Sequence, residues 1–463
     1  MTNKENAEKD EAFRDYALNM DLWKVLLRTG TPLALYQTLN TLYKMLDSLM
    51  ASHINAEAVS TVAYLSQISI LVSSAGAGLA MGSSLKISEA YGAGDYGLVK
   101  KQVSSLFAMC GILDLLLFLL IPFTPWLLRL SRTPEELILG GNAYFAVELA
   151  GLAVTFFNNA YIAVERARGN TRRIFWLNMI VIVLKLALTA VFVYILNSGI
   201  TMIAVAGVLS QTALLAVGVY HMLRKESAFR FEMASVSLRR ETTGPLLDIS
   251  FPVIVEKAAF SAGKVVVNAM CGAYGVLTVG ALGICNNITG IFANAQSGYQ
   301  EGCAAIISQN LGARKPGRAL EAFLKIFVIN LILGAVGLLI SFVSIDFLSY
   351  LYACSAEGVD FKFQAIIKGI FRYDAIGTII PWGISASVMA FLYGLGKTRK
   401  ILFINLCRLF IFRIALLWIL QRYTALGSES VGIVMMASNT LTAILSCVLV
   451  FFDLRAFRRE HGL

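Results

Sequence analysis

Apolar residues fill twelve long stretches of the chain, and short polar links separate one stretch from the next. A helix crosses the hydrocarbon core of a bilayer with about 20 predominantly apolar residues, a length that each stretch reaches. The pattern therefore predicts an all-α polytopic membrane protein with twelve transmembrane helices. The predicted spans are residues 31–52, 59–87, 103–123, 139–164, 174–196, 203–223, 246–271, 279–310, 324–344, 367–393, 401–420 and 431–454.

The first span interrupts its apolar pattern with polar side chains at helical spacing. They follow one another at intervals of three, four and three residues, so they lie on one face of the helix. An ionisable group inside a span is costly and usually faces a protein interior or a watery cavity. The face is either a cavity wall with an ionisable switch or a structural pair of lysine and aspartate on adjacent turns. Its residues are Gln37, Asn40, Lys44 and Asp47, with Tyr43 beside Lys44.

The composition is typical of a membrane protein, and this class of protein explains the positive net charge differently from a soluble protein. Of 463 residues, 57% are hydrophobic and 15% are charged, whereas soluble domains have about 45–50% and 25%; the mean hydropathy is +0.70. A net charge of +10 would suggest nucleic acid as the partner of a soluble protein. Here the positive-inside rule explains the charge, and the expected partner is the lipid bilayer, with no nucleic acid.

Basic residues concentrate in every second link, and this alternation predicts an orientation. The links after spans two, four, six, eight and ten and the C-terminal tail are basic. The opposite links are almost free of lysine and arginine, except that those near Arg129–Glu136 and Ala353–Lys362 carry a few charges of both signs. Cytoplasmic loops carry that excess, so both termini are expected in the cytoplasm. The polar N-terminus does not read as a cleavable signal peptide, and we expect a multi-pass protein of the bacterial inner membrane.

Several classes of chemistry find no support in the sequence. The seven cysteines are scattered and form no CxxC pair, and the three histidines are isolated, so no metal site or cofactor is expected. No Walker A motif is present, which argues against ATP hydrolysis on this chain. We therefore expect no enzymatic activity, and an ion gradient of protons or sodium becomes the expected energy source.

The two halves of the chain repeat one another. Pro32 matches Pro252, and Gly92 matches Gly312, both at an offset of 220 residues; Gly169 matches Gly396 at 227. Two parallel six-span halves are a known transporter plan in which substrate is handled between them. The predicted organisation is an N-terminal segment 1–30, an N-lobe 31–224, a linker 225–243, a C-lobe 244–455 and a tail 456–463.

Polar residues in later spans mirror those of the first. On span seven, four residues at spacings of four, three and four form one helical face. These residues either line a central cavity or form buried hydrogen-bond networks that hold helices together. Arg408 and Arg413 are interpreted as structural groups, because one of them can lie close to the cytoplasmic end and snorkel. The cavity candidates are Glu148, Glu256, Lys257, Ser261, Lys264, Asn268, Asn287 and Asn294, with Lys185 as an ion-coupling candidate.

Two prolines are hinge candidates. Pro32 lies near the predicted start of span one, where a missing N–H is least costly. Pro381 lies inside span ten and should kink it, although helix shaping alone is the alternative. Protonation of Asp47 could bend span one near Pro32, which makes Asp47 the favoured ion-coupling residue.

Four loop motifs give the chain a resemblance to a known family. They are GAGDY at Gly92, QNLGARK at Gln309, RGNTRR at Arg168 and GLGKTRK at Gly394. With the proline-led first span ending in Asp47, the chain resembles the MATE (multidrug and toxic compound extrusion) transporters over nearly its whole length. The resemblance implies two six-helix lobes in a V shape, alternating access, and export of toxic organic compounds against proton or sodium entry.

Details of the resemblance concern the coupling ion. The fifteen residues from Pro32 to Asp47 look like the prokaryotic branch whose N-lobe aspartate is implicated in coupling. Lys185 falls where the family commonly has asparagine, and Thr189 where it has aspartate. This departure disfavours a sodium site and favours protons.

The cargo and the function class leave alternatives open. Lysines outnumber carboxylates among the cavity candidates, so small amphipathic cargo can include anions or zwitterions. The alternatives are a lipid-linked saccharide or amphiphile flippase of the same superfamily and a receptor or scaffold without transport. The absence of long soluble loops disfavours the last. A monomer is expected.

Overall fold

A computed structural model describes the backbone of residues 3–52, 56–130, 135–223, 228–355 and 358–463. Helices dominate it, and one lies at each of the twelve predicted spans. Short 3-10 turns and π-helical segments interrupt three of the spans. The helices are α1 (Asn3–Asn19), α2 (Leu22–Ser52), α3 (Ala56–Ala93), α4 (Tyr96–Leu120), α5 (Thr124–Leu130), α6 (Glu135–Arg168), α7 (Thr171–Ala190), α8 (Ile200–Met222), α9 (Arg240–Cys271), α10 (Val276–Gly312), α11 (Pro316–Ala353), α12 (Phe361–Gly394), α13 (Thr398–Leu406), α14 (Leu416–Tyr423) and α15 (Glu429–His461).

Three shorter features complete the chain path. A π-helical turn, Val191–Ile195, ends the α7 span, and a longer one, Cys407–Ala415, joins α13 to α14. Two-residue strands, β1 (Cys354–Ser355) and β2 (Gly358–Val359), pair antiparallel between α11 and α12. Within the described residues, nine segments are long and apolar enough to cross a membrane. The other three predicted spans are α2, α9 and α10, on which most of the polar candidates lie.

The first span is longer than its apolar stretch predicted. The helix begins at Leu22 instead of residue 31, and Pro32 lies inside it. Leu22, Val25, Leu26 and Thr29 are buried, and their spacing of three, one and three marks a single packed face that carries the helix towards the N-terminus. Residues 1–30, predicted as one polar segment, therefore contain α1 and the first part of α2.

Contacts divide the chain into two compact units. Unit 1 comprises Met1–Met20, Leu42–Ala258 and Ser308–Arg314, and unit 2 comprises Asp21–Thr41, Ala259–Ile307 and Lys315–Leu463. The chain passes between them before α2, within α2, α9 and α10, and between α10 and α11. The lobe boundaries drawn from the sequence repeat stay predictions.

The core of unit 1 forms where α3, α4 and α6 pack together. Tyr91 and Tyr161 are fully buried in this core. The segment after α8, predicted as a polar linker, packs against the same core. Phe229 meets Tyr91 edge-on with ring centroids 4.9 Å apart, and the Ser105 hydroxyl donates to the Ser237 carbonyl at 2.9 Å. Residues 228–243 of the linker are thus an ordered part of unit 1.

The core of unit 2 forms where α12 packs against α11 and α15. Glycines permit the close approach of α12 and α15, because a Cβ at Gly377 would overlap the backbone of Met436, and one at Gly432 would overlap the Ile370 carbonyl. Small residues allow such close packing in membrane helices. This tight contact holds the polar side chains of α12 and α15 against each other.

The repeated loops adopt one local geometry. Residues at the four matched loop positions have positive φ, at Gly94 (79°), Gly169 (83°), Gly396 (71°) and Arg314 (58°). After Gly94, the Asp95 N–H donates to the Ala90 carbonyl, which closes the helix C-terminus as a left-handed cap. The sequence repeat is therefore also a repeat of loop structure.

Candidate functional site

A polar cavity lies inside unit 2. Its volume is about 290 Å³, and its walls come from α9, α10, α12, α15 and the π-helical segment between α13 and α14. Its lining mixes apolar and aromatic side chains with amides and cations. The charged and amide residues of this lining are Lys264, Asn268, Asn286, Asn294, Arg408, Arg413 and Asn439.

An aromatic sandwich holds one of the two arginines. The Arg408 guanidinium lies over Phe260 at 4.5 Å and over Trp382 at 4.6 Å from the ring centroids. The Trp382 indole N–H donates to the Ala293 carbonyl at 3.2 Å, which fixes the ring. Lys264 approaches the same Phe260 ring at 5.1 Å. Cations on aromatic faces are favoured when desolvated, and Arg408 is 4% exposed.

The second arginine ends a chain of hydrogen bonds. The Arg413 Nη2 donates to Asn439 Oδ1 at 3.1 Å, and Asn439 Nδ2 donates to the Thr378 hydroxyl at 3.0 Å. Thr378 in turn donates to Asp374 Oδ1 at 2.7 Å, and Thr289 donates to the other carboxylate oxygen at 3.3 Å. A buried carboxylate and a buried guanidinium are therefore linked through two neutral side chains on α12 and α15.

The π-helical segment explains why both arginines reach one cavity. Arg408 and Arg413 are five residues apart, which in an α-helix separates two side chains by about 140°. A π-helix bonds residue i to residue i+5, so residues five apart lie almost one above the other. Both are buried and line the cavity, so neither snorkels, and their interpretation as structural groups stays a prediction.

The described part of the first-span face makes hydrogen bonds to α10 within unit 2. Gln37 Nε2 donates to Glu301 at 3.4 Å, and Asn294 Nδ2 donates to the Thr41 hydroxyl at 2.6 Å. Asn40 is half-buried. These bonds match the alternative of a network that holds helices together. The side chains of Tyr43, Lys44 and Asp47 lie outside the described residues.

The structure brings only some of the cavity candidates together. Lys264, Asn268 and Asn294 line the unit 2 cavity. Asn287 does not line the cavity. Its neighbour Asn286, one position earlier on α10, lines it instead. Ser261 is half-buried in unit 2 outside the lining.

The remaining candidates belong to unit 1. Glu148, Lys185, Glu256 and Lys257 are half-buried there, and the Lys185 stem packs beside Gly207 of α8. They are not part of the unit 2 lining, and their role as cavity residues stays a prediction. The hinge candidates Pro32 and Pro381 both lie inside continuous helices, α2 and α12, and their hinge role stays a prediction.

Sequence reasoning did not identify Asp114, a buried acid of unit 1. Asp114 lies on the buried face of α4 with Leu106, Cys110 and Leu117, and neither carboxylate oxygen has a hydrogen-bond partner. The signal was available, since the residue stands alone in an apolar run at helical spacing from core positions. Among the described residues, no three His, Cys, Asp or Glu side chains come together as a metal site.

Comparison with known proteins finds a matching family model and a related bacterial protein. The MatE family model matches residues 32–195 and 252–419, and the two matches begin at Pro32 and Pro252, at the offset of the internal repeat. The probable multidrug resistance protein YoeA of Bacillus subtilis (strain 168) is 21% identical over 365 residues, 77% of this chain and 79% of that protein.

Solved structures share the fold. An outward-facing multidrug resistance MATE family transporter of the MOP superfamily aligns with a TM-score of 0.89 at 20% identity, over 96% of this chain and 98% of that one. A MOP superfamily transporter from Pyrococcus furiosus, described as having a binding pocket of reverse polarity, aligns with the same TM-score, identity and coverage. The twelve-helix layout predicted from the sequence fits this fold.

Proposed function

Because this chain belongs to the MatE family, we propose that it is a secondary active exporter of drugs or other toxic organic compounds. Members of this family are transporters and not enzymes. The observation that carries the proposal is the family match in both halves of the chain, together with the polar cavity inside the helices of unit 2. The relatives named for multidrug resistance support the same cargo class.

The proposed mechanism is alternating access driven by cation antiport, with protons favoured over sodium. Asp47 is the proposed coupling carboxylate, in the manner of the prokaryotic branch with an N-lobe aspartate. Lys185 is proposed to supply a tethered charge where the family commonly has a neutral residue, which opposes sodium binding. Pro32 and Pro381 are the proposed hinges, because a missing N–H weakens the helix locally.

The proposed setting follows from charge distribution. The protein is proposed to lie in a bacterial inner membrane. Both termini are proposed to face the cytoplasm, since the basic links alternate with links poorer in lysine and arginine. The protein is proposed to work as a monomer on small amphipathic organic substrates. The flippase alternative is not favoured, because the curated relatives are named for multidrug resistance.

The test is dye efflux from proteoliposomes under separate gradients. Wild-type protein is expected to drive rhodamine 123 transport under an imposed proton gradient and much less under a sodium gradient. Asp47→Asn should abolish the gradient response, whereas Lys185→Ala should admit a sodium response. Asp346→Asn is the matched control, because Asp346 is 81% exposed.

Two results would overturn the proposal. Transport that is indifferent to both gradients would exclude antiport. An unchanged proton response in Asp47→Asn would remove Asp47 from coupling and leave the export proposal standing.

A further inference from the structure

We infer that Arg413 donates a hydrogen bond to the carbonyl oxygen of a compact aromatic cargo molecule bound in the unit 2 cavity. The inference rests on the proposed export function and names the substrate chemistry that this cavity selects. Its basis is the unequal hydrogen bonding of the three guanidinium nitrogens of Arg413, which lines the cavity and is 8% exposed.

Two of the three guanidinium nitrogens are bonded to α15. Nε donates to the Ser438 hydroxyl at 3.2 Å, and Nη2 donates to Asn439 Oδ1 at 3.1 Å. Among the described residues, none accepts a hydrogen bond from Nη1. Because Arg413 lines the cavity while α15 holds its other two nitrogens, Nη1 is the nitrogen available to a molecule inside. A buried donor without an acceptor is costly, so the site favours a ligand that supplies one.

Hydrogen bonds hold the guanidinium in place before a ligand binds. The Ser438 hydroxyl that accepts from Nε donates to the Met435 carbonyl at 3.1 Å. The Asn439 amide is fixed by its donation to Thr378, which donates to Asp374. A preorganised donor loses little freedom when it binds a ligand, and a site built around such a donor discriminates strongly against molecules that lack the acceptor.

The charge around Arg413 indicates the type of acceptor. Asp374 lies at the other end of the hydrogen-bond chain through Thr378 and Asn439, and it interacts electrostatically with Arg413. Since this carboxylate offsets the Arg413 charge, Nη1 offers a charge-assisted hydrogen bond without requiring a full negative charge on the ligand. The oxygen of a neutral carbonyl group meets that requirement.

The size of the cavity and its apolar walls indicate a compact ring system. Small-molecule pockets run from about 300 to 1,000 Å³, and a volume of about 290 Å³ suits one fused-ring body. Long lipid chains do not fit within that volume. The apolar and aromatic side chains of the lining include Phe260, Val267, Leu282, Trp382, Leu409 and Met435.

The experiment compares two ligands that share a tricyclic skeleton and differ in the acceptor. Xanthone has a carbonyl group where xanthene has a methylene group, and neither molecule is charged. Binding of each tritiated ligand to detergent-purified full-length protein is measured by equilibrium dialysis, with the same detergent on both sides. The ratio of xanthone affinity to xanthene affinity should fall about tenfold in Arg413→Lys, which keeps the positive charge beside Asp374 and lacks Nη1.

A matched control separates the site from general effects of the substitution. The partition of each ligand into micelles is the same in every sample, so a change in the affinity ratio reports on the protein. Arg422→Lys, at an exposed arginine of α14, should leave the ratio unchanged. An unchanged ratio in Arg413→Lys would overturn the inference, as would the absence of saturable xanthone binding in wild type.

A second measurement needs no variant and applies if Arg413→Lys does not fold. Infrared difference spectroscopy records the carbonyl stretching band of isotope-labelled xanthone bound to the wild-type protein. A charged donor forms a stronger hydrogen bond than a neutral one and weakens the C=O bond further. The band should therefore lie below its frequency in water, and a band at or above that frequency would contradict the inference.

Failure of the inference is distinguishable from failure of the proposed function. The binding measurements need no gradient, so binding of xanthone that depends on Arg413 without gradient-driven export would contradict the export proposal alone. Gradient-driven rhodamine 123 export by a protein whose affinity ratio is unchanged in Arg413→Lys would contradict the role of Arg413 alone.

Discussion

Asp374 of unit 2 and Asp114 of unit 1 are both buried inside apolar helices, and their surroundings differ. Asp374 of unit 2 accepts hydrogen bonds from Thr378 and Thr289 and connects through Asn439 to Arg413. Asp114 of unit 1 has two buried carboxylate oxygens without a hydrogen-bond partner. The same side chain is thus a member of a polar network in one unit and an isolated group in the other.

The difference teaches that burial alone does not define a functional acid. A buried charge is costly unless it is paired and hydrogen-bonded, and only Asp374 meets that condition. Its removal should therefore disturb neighbours, whereas removal of Asp114 should not. This contrast can be measured, and the expected effects below run from the largest to the smallest.

The largest effect is expected at Asp374. Asp374→Ala should lower the free energy of unfolding by about 3 kcal/mol, because it strips two hydroxyls of their acceptor and leaves the buried Arg413 charge unbalanced. Denaturant or thermal unfolding in detergent micelles, followed by tryptophan fluorescence, measures it. Asp346→Ala, at an exposed carboxylate, is the control. A loss no larger than that of the control would mean that the hydrogen-bond chain contributes nothing to stability.

The repeated loops offer a second comparison between the halves of the chain. Gly94 and Arg314 both have a positive φ, 79° and 58°, a conformation that costs a non-glycine residue about 1 kcal/mol. Gly94→Ala should therefore destabilise the protein by about 1 kcal/mol, and Arg314→Gly should stabilise it by a similar or smaller amount. Unfolding in the same micelles measures both. A loss of stability in Gly94→Ala and a gain in Arg314→Gly would support the structural repeat of the two loops. A loss of stability in both variants would contradict it.

A smaller effect is expected at Asp114. Asp114→Leu should change the free energy of unfolding by less than about 1 kcal/mol, and in the stabilising direction, because apolar replacement of an unpaired buried acid is often neutral or favourable. The measurement is the same unfolding curve, with Asp374→Leu as the matched variant. If Asp114→Leu lowered the free energy of unfolding as much as Asp374→Leu, the Asp114 carboxylate would make a stabilising interaction, and the contrast between the two aspartates would be wrong.

The smallest effect concerns a half-buried carboxylate, Glu232, in the segment after α8. The hydrogen bond from Lys100, then that from Ser235, and the nearby Arg230 charge lower the pKa of this carboxyl below its ordinary value. A lowered pKa stabilises the folded segment above the ordinary pKa of glutamate, about 4.3, and the contribution is lost as pH falls through the lowered value. The hydrogen-exchange protection of residues 228–239 should therefore decrease by a small amount when the pH is lowered below about 4.

Its control is Glu232→Gln, in which that acid-dependent loss of protection should disappear. Glu241→Gln, at an exposed neighbouring carboxylate, should keep it. Equal pH dependence in wild type and Glu232→Gln would show that other groups hold the segment against unit 1.

Particular residues show how far sequence reasoning reached. The spacing on span seven placed Lys264 and Asn268 on one face, and both line the cavity. On α10 the same reasoning chose Asn287 where Asn286 faces the cavity, since two adjacent asparagines give no signal of which one points inward. Arg408 and Arg413 were interpreted as structural because one of them was expected near the cytoplasmic end, whereas a π-helical segment places both on the cavity lining.

The sequence by itself determined the twelve helices, the internal repeat and the family, because each depends on local hydrophobic length or on motifs at fixed spacing. Tertiary structure alone decided which polar groups meet. The Asp374 network needs α12 and α15 in close contact, and the arginine pair needs a widened helical turn. Both depend on contacts between residues far apart in the chain, which no local pattern encodes.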